Sequence, residues 1–386
     1  MSREAVTFRP DYTAPPGGYL ALILKQRGMT QADLAARTGL SSKHINQLVK
    51  GAATLSPDTA AQLEYATDVP AEIWARMDAS YQAHAALQKV RRKLGDTLDW
   101  LDRFDLNELA QRGVIPDATR SVGTMEALLR YFGIADPEGW DRVWQPSLTS
   151  FRRSPAFQPD ATATTIWLRA GQRLASQIET TPFDHRAVLA AIPELRRLTQ
   201  DDPAKALGQL QTRMADFGVA VAYVAEFDGC RASGAIWWNS PTKAVVLLSN
   251  RGKREDRFWF SFFHELGHLI HHAKKDTFLD QNLGQNSDEG PPWGDRAPAS
   301  GFIDDGSRDS ALEEEADEFA SEALIPDEFL MHISTLRSSQ DVVDLADKIG
   351  VSAGIVAGRY QYETGDYRRF HRFRREVPHE LFTSAV

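Results

Sequence analysis

The stretch FWFSFFHELGHLIH, residues 258–271, combines a helical apolar pattern with two histidines that are four residues apart. On an α-helix His264 and His268 project from one face with Cβ atoms roughly 6 Å apart, so both imidazoles can reach one zinc ion at about 2 Å. Glu265 then lies beside the metal, where its carboxylate can act as a general base toward water. Because the other residues are strongly apolar, burying these polar groups is costly unless a partner satisfies them. The pattern predicts a buried metal-binding helix.

A second, acidic motif, LEEEADEFA at residues 312–320, can complete such a site. Glu313 and Asp317 share one helical face because they are four residues apart. Glu313 can therefore be the third ligand, and Asp317 can accept the outer N–H of a ligating histidine. Three protein ligands leave the fourth zinc position open, which is typical of catalytic rather than structural zinc. The alternative is a pair of satisfied core histidines and an unrelated, solvated acidic helix end.

The sequence around the two motifs predicts a small sheet, two helices and a loop. Short β-branched runs bounded by turn residues predict three strands, at 219–224, 234–238 and 244–248. One helix is predicted from Arg257 to about residue 272, and another from about Ala311 past Phe319. Between them, residues 281–310 are rich in Gly, Pro, Ser, Asn and Asp, which indicates a mobile loop.

Together, HELGH at 264–268 and EEEADEFASEALIP at 313–326 resemble the ImmA/IrrE family of metallopeptidases. Members of that family are small zincins in which a loop of variable length separates the two motifs. The resemblance implies a zinc cofactor with three ligands and a general base. In this sequence the implied ligands are His264, His268 and Glu313, and the implied base is Glu265.

Three further expectations about this site come from zincins in general, from residue type and from position on the helix. By analogy with zincins, a strand such as 244–248 would pair with the substrate as an added strand. The transition-state stabiliser has three candidates by type alone, Tyr360, Tyr362 and His371. His271 lies on the same helical side as His264 and is interpreted as an ordinary histidine at the helix end.

A different, well punctuated helical pattern occupies residues 19–68. Thr30 followed by Asp33 resembles a capping box that begins a helix. Gly39 supplies a tight turn, and Ser41 can cap the next helix. The pattern predicts a short helix, a turn and a second short helix.

The stretch QADLAARTGLSSKHINQLVK, residues 31–50, has the pattern of a helix-turn-helix, whose second helix enters the major groove of DNA. Ala35 is small where two helices approach closely, and Ile45 and Leu48 face inward. The side chains able to bond base edges or phosphates are Gln31, Ser42, Lys43, Asn46 and Gln47. Residues 25–50 carry five basic residues and one acid within a chain of formal net charge −9, which is typical of a small DNA-reading domain. The alternative is a helical protein-binding or dimerisation module that never contacts DNA.

This module resembles Xre-type repressors, and together with residues 56–81 it is similar to HigA-type antitoxins. The likeness covers roughly residues 15–85. It implies a double-stranded DNA operator and a possible toxin partner. A homodimer is expected because a single small module binds DNA weakly.

Length and composition set limits on the whole chain. Its 386 residues suggest two or three domains, and 42% hydrophobic with 25% charged residues is typical of a soluble globular protein. The sequence predicts neither a signal peptide nor a membrane span, and the single cysteine, Cys230, fits a reducing cytoplasm. The predicted fold class is α+β, mostly α. The predicted domains are a helix-turn-helix domain at 15–70, a helical scaffold at 71–210, and a zincin-like domain with a small sheet and the HExxH helix at 211–386.

The combined pattern predicts a cytoplasmic, DNA-binding transcriptional regulator that carries a zinc endopeptidase domain. The family resemblance implies that the substrate is a repressor or another regulator, cleaved in a response to stress or to a mobile element. One alternative is a HigA-like antitoxin whose zincin half only senses a ligand or metal. In another, that half binds a regulator without cutting it, although Glu265 argues against a pure binding module.

Overall fold

The computed structural model describes residues 14–150, 160–271, 278–281 and 307–382. The chain divides into two compact units, Met1–Thr97 and Leu98–Val386, and each has its own apolar core. The architecture is mostly helical with one small sheet, which confirms the predicted α+β fold class. The division into three domains at 15–70, 71–210 and 211–386 stays a prediction.

The first unit is a helical bundle. Its helices are α1 Pro16–Gln26, α2 Gln31–Thr38, α3 Ser42–Val49, α4 Pro57–Thr67 and α5 Ala71–Gly95. At the start of α2, the Thr30 side chain accepts from the Asp33 N–H and the Asp33 carboxylate accepts from the Thr30 N–H, so the predicted capping box is confirmed. Gly39 ends α2 with a φ of 75°, a left-handed conformation in which glycine is not strained. Ser41 then caps α3 by accepting from the His44 N–H.

The core of this bundle is formed where α1, α2 and α3 converge on α4 and α5. Leu34, Ile45, Leu63 and Trp74 are fully buried in it. The close approach of α1 to the end of α3 requires glycine at position 17. A Cβ there would lie 2.6 Å from the carbonyl oxygen of Val49, and it would overlap that of Leu48.

The second unit begins with a helical region, as the sequence predicts for the middle of the chain. Its helices are α6 Leu106–Gln111, α7 Val122–Phe132, α8 Pro137–Ser150, α9 Ala161–Gln177, α10 His185–Arg197 and α11 Pro203–Ala215, with 3-10 turns at Leu98–Arg103 and Leu198–Gln200. Aromatic rings join α7 to its neighbours: Phe132 packs edge-on against Trp100 and Trp144. Farther along, the indole N–H of Trp167 in α9 donates to the carbonyl of Val224 and ties the helices to the sheet that follows.

A four-stranded sheet forms among the described residues of the second unit. Its strands are β1 Val219–Tyr223, β2 Ala232–Ser240, β3 Lys243–Leu248 and β4 Phe278–Gln281, in the spatial order β1-β3-β2-β4. The three predicted strands are confirmed, and β4 is an addition that the sequence did not predict. β3 runs parallel to β1 and antiparallel to β2, while β2 also pairs antiparallel with β4.

The order of the strands corrects one expectation about substrate binding. Residues 244–248 lie in β3, which is hydrogen-bonded on one side to β1 and on the other to β2. Its backbone groups are therefore already paired, and it cannot accept an added strand. Because β1 and β4 are the outer strands of the sheet, the analogy that assigned this role to 244–248 is wrong.

Among the described residues that follow β3, the α-helices are α12 Glu255–His271, α13 Ser307–Leu324, α14 Asp327–Ile333, α15 Ser339–Ile349 and α16 Ala353–Thr364. The predicted helices at 257–272 and from Ala311 are thus confirmed, although α13 begins four residues earlier. Within the predicted loop 281–310, Gln281 belongs to β4 and residues 307–310 belong to α13. The remaining part, 282–306, lies outside the described residues. Among the helices that the structure describes, none combines the length and apolar character needed to cross a membrane.

The C-terminal segment packs across the first turn of α12 and forms what we call the strap, residues 370–382. Arg375 donates to the buried carboxylate of Glu255 at 2.8 Å, and Nε of Arg374 lies 2.9 Å from Oδ2 of the buried Asp256. The backbone joins as well, because the Glu255 N–H donates to the Arg375 carbonyl and the Val377 N–H donates to the Lys253 carbonyl. Arg374 and Arg375 are therefore structural residues that hold the strap against α12.

Candidate metal centre and nucleic-acid interface

Helix α12 carries the HExxH residues in a buried position between the sheet and α13. Its apolar residues, including Phe262, Phe263 and Leu266, are fully buried and anchor the helix in the core. His264, Glu265 and His268 are also buried, with at most 4% of each residue exposed. The helix therefore holds three polar side chains inside the protein, where they need polar partners.

Helix α13 approaches α12 closely because small residues face each other between them. A Cβ on Gly267 would lie 3.1 Å from Cα of Ala316 and 3.2 Å from a ring carbon of Phe319, so there is little room for one. Ala316 is itself fully buried. The contact lies one turn from Glu313, and it brings that carboxylate to the histidines.

The three candidate metal ligands converge on one point. Nε2 of His264 lies 3.0 Å from Nε2 of His268, and Oε2 of Glu313 lies 3.2 and 3.5 Å from these two nitrogens. Tetrahedral zinc with bonds of about 2.0 to 2.1 Å requires neighbouring ligand atoms to lie roughly 3.3 Å apart. The donor set and its spacing fit zinc, and together they form a possible metal-binding cluster.

Asp317 lies on the outer side of this cluster. Its Oδ1 is 2.8 Å from Nδ1 of His264, within hydrogen-bond distance. When the Nδ1–H of a histidine donates to a carboxylate, the Nε2 lone pair is left facing inward, available to a metal. Asp317 therefore stands where it can fix both the ring orientation and the tautomer of His264.

The electrostatics of the cluster favour an ionised Glu313. Burial by itself would raise the pKa of this carboxyl. In the metal-free chain, hydrogen bonds from His264 and His268, together with their charge, outweigh burial and lower the pKa far below its ordinary value. Glu313 is consequently a carboxylate at neutral pH. That is the form in which a carboxyl group ligates a metal.

Glu265 packs against the sheet. A Cβ built on Gly234 of β2 would lie 2.7 Å from Cγ and 2.9 Å from Cδ of Glu265, and it would overlap Oε1. The Glu265 side chain thus occupies the space that a side chain at position 234 would fill. The carboxylate lies directly against the backbone of β2.

Four further residues were considered from the sequence, namely Tyr360, Tyr362, His371 and His271. Tyr360 is buried, with its ring centroid 4.9 Å from that of Phe370, and His371 lies exposed in a 3-10 turn. Tyr362 lies on α16 beside the guanidinium of Arg359. The choice among the three as transition-state stabiliser stays open. His271 is the last residue of α12 and contacts the ring of Phe319, which fits its interpretation as a helix-end histidine.

In the first unit, α2, the turn at Gly39 and α3 form a helix-turn-helix. Ile45, Leu48 and Ala35 are all buried, which confirms that these positions face inward. Four of the predicted DNA-contacting residues lie on the exposed side of α3, namely Ser42, Lys43, Asn46 and Gln47. The fifth, Gln31, is the first residue of α2 and is half-buried.

The basic residues of this region do not all remain available to DNA. The guanidinium of Arg27 donates to the carbonyl of Thr67 at the end of α4. Lys25, Arg37, Lys43 and Lys50 are exposed. Four cations therefore surround the helix-turn-helix, and one basic residue counted in the sequence has a structural partner.

Comparison with known protein families gives two matches, each covering less than half of the chain. Residues 20–74 match the family model described as helix-turn-helix, and residues 224–291 match the model described as IrrE N-terminal-like domain. The chain therefore carries an Xre-type helix-turn-helix domain followed by a domain of the ImmA/IrrE peptidase type, which confirms these two resemblances. The likeness to HigA-type antitoxins stays a prediction. The second match includes 264–268 and ends before Glu313. No curated protein matches the chain.

Three residues that shape the site have no functional group in their side chains, and the sequence interpretation did not identify them. Gly234 makes room for Glu265, while Gly267 and Ala316 allow α12 and α13 to approach. Gly267 falls inside HELGH, and its small size was the available signal. Nothing in the local sequence of β2 distinguishes Gly234, because its role depends on which helix packs against that strand.

Proposed function

We propose that the second unit is a zinc-dependent endopeptidase and that the first unit binds an operator in double-stranded DNA. The observation that carries the peptidase proposal is the triangle of donor atoms from His264, His268 and Glu313, which lie 3.0 to 3.5 Å apart. The two histidines lie on α12 together with Glu265, and Glu313 lies on α13. Three protein ligands leave a tetrahedral metal with one open position, which is typical of catalytic zinc. The match to a peptidase-family domain supports the same conclusion.

In the proposed reaction, the residues of the site have three tasks, which are metal binding, orientation of a ligand and proton transfer. Zinc, when bound, supplies a Lewis acid that polarises the scissile carbonyl and lowers the pKa of water. His264, His268 and Glu313 hold the ion, and Asp317 orients His264. The Glu265 carboxylate accepts the proton of the attacking water and then passes it to the leaving amine. Burial of Glu265 keeps this carboxylate out of bulk water.

The substrate we propose is a transcriptional repressor or a similar regulator, cleaved in the cytoplasm in response to stress or to a mobile element. A DNA-reading domain in the same chain supports a regulatory rather than a digestive role. The first unit would bind its operator as a homodimer, since two half-sites multiply the affinity of one small module. A toxin encoded nearby would be a further partner.

The peptidase proposal is tested by zinc content and proteolysis together. Wild type and Glu265→Gln are both purified as full chains and incubated with zinc and candidate repressors, including the protein's own first unit. The expected result is one zinc per chain in both proteins and cleavage at a single site by wild type alone. Zinc in both without cleavage would favour the sensor alternative, and absence of zinc from both would refute the metal centre.

The DNA proposal is tested separately by footprinting with the full chain. Lys43→Ala and Asn46→Ala are compared with Glu72→Ala, an exposed change outside α2 and α3. A base contact is expected to be worth about 1–3 kcal/mol, so Asn46→Ala should weaken specific binding about 5- to 150-fold. Unchanged binding by both α3 variants would refute the assignment.

A further inference from the structure

The strand next to the proposed general base contains a glycine whose missing side chain defines the position of that base. We propose that Gly234 is a positioning residue for the carboxylate of Glu265. This inference rests on the proposed peptidase function and extends it to a residue with no chemical group of its own. It makes the backbone of β2 one wall of the catalytic site.

The contact is specific to Glu265. The three atoms nearest to a Cβ at position 234 all belong to the Glu265 side chain: Oε1, Cγ at 2.7 Å and Cδ at 2.9 Å. Separations below 3.0 Å are essentially not found for real Cβ atoms. Any residue other than glycine at this position must therefore displace the carboxylate or the strand.

The strand is the less movable of the two. Gly234 pairs with Leu248 of β3 on one side and with Asp280 of β4 on the other, so its backbone is held within the sheet. The pairing with β4 contains a register shift between Ala232 and Gly234, an irregularity of the kind that alters the direction of neighbouring groups. The end of a glutamate side chain can rotate at lower cost than a paired backbone can move. A Cβ at position 234 would therefore displace the Glu265 carboxylate.

Displacement of the carboxylate should affect proton transfer without affecting the metal ligands. A general base must lie within hydrogen-bond reach of the proton that it removes, and an error of about 1 Å can lower the rate about 100-fold. None of the three nearest atoms belongs to His264, His268 or Glu313. Gly234→Ala is thus expected to retain zinc while losing turnover.

The contact itself is tested in metal-free protein by a double-mutant cycle. Wild type, Gly234→Ala, Glu265→Ala and the double variant are compared as full chains by hydrogen exchange of α12 peptides, which reports the local opening equilibrium. Residues in contact couple by a factor of about 2 to 150. We expect Gly234→Ala to raise the opening constant in the presence of Glu265 by at least twofold more than in the Glu265→Ala background. Coupling below twofold would overturn the proposal.

The functional consequence is tested in zinc-loaded protein. Gly208→Ala is the matched control, because a Cβ at this helical glycine in the same unit meets no atom within 4 Å. Gly234→Ala should bind one zinc per chain and cleave the repressor about 100-fold more slowly than Gly208→Ala. Equal rates would overturn the proposal even if coupling were found. If wild type cleaves nothing, the proposed function fails, whereas the metal-free cycle still decides whether Gly234 positions Glu265.

Discussion

Replacement of Asp317 tests whether its contact with His264 contributes to metal binding. Asp317→Ala removes the acceptor 2.8 Å from Nδ1 of His264. Loss of such a partner typically lowers metal affinity about 10- to 100-fold. Because the Asp317 side chain is 36% exposed, water weakens the interaction, and the lower end of that range applies. We therefore expect about a tenfold loss of zinc affinity, or about 1.4 kcal/mol.

The assay is competition for zinc between the full chain and a chromophoric chelator at fixed pH. Glu318→Ala is the control: it removes the same charge from the next position of α13, where the side chain is exposed. If only the net charge near the metal matters, both variants should weaken binding equally. An Asp317→Ala affinity within twofold of wild type would refute the argument that this carboxylate orients His264.

Three further predictions concern stability. Gly17→Ala should destabilise the first unit by about 1–3 kcal/mol because the new Cβ overlaps backbone carbonyls, whereas Gly18→Ala, with open space around it, should stabilise the unit by about 0.5–1 kcal/mol. Denaturant unfolding measures both changes in free energy, and equal effects of the two variants would contradict this argument. Arg375→Ala leaves the buried Glu255 carboxylate without its cation, and since Arg375 is partly exposed, the free energy of unfolding should fall by about 2 kcal/mol in thermal unfolding. A change below about 0.5 kcal/mol would show that this pair does not hold the strap. Burial raises the pKa of Cys230 from 9.0 to about 11, so between about pH 9 and 11 the thiol ionises in the unfolded chain but not in the folded one, and stability falls. Cys230→Ala should therefore lose about 2 kcal/mol less stability than wild type between about pH 8 and about pH 10.5, and identical pH profiles would be inconsistent with this cause.

Much of the fold follows from local rules that the sequence displays. The capping box of Thr30 and Asp33, the left-handed turn at Gly39 and the cap at Ser41 each depend on residues within a few positions of one another. The three β-branched strands could likewise be recognised from their residues alone. Strand β4 could not, because four residues have no distinctive period and their pairing with β2 is set by the sheet.

In the candidate site, too, some features follow from the local sequence and others depend on how distant elements pack. His264, Glu265 and His268 lie on one helix, so their spacing was sufficient to predict that they act together. The position of Glu313 required a second helix to pack at the correct distance, and that distance depends on the small residues Gly267 and Ala316. The order of strands, which excludes 244–248 as a substrate partner, is a long-range property with no local signal.

The strap has a consequence for the order in which the protein becomes functional during translation. Glu255 and Asp256 leave the ribosome well before Arg374 and Arg375, which neutralise them in the folded chain. Until those arginines are made, α12 carries two acidic groups at its first turn that are costly to bury without their cations. The helix that carries His264 and Glu265 is therefore expected to reach its final packing only late in synthesis.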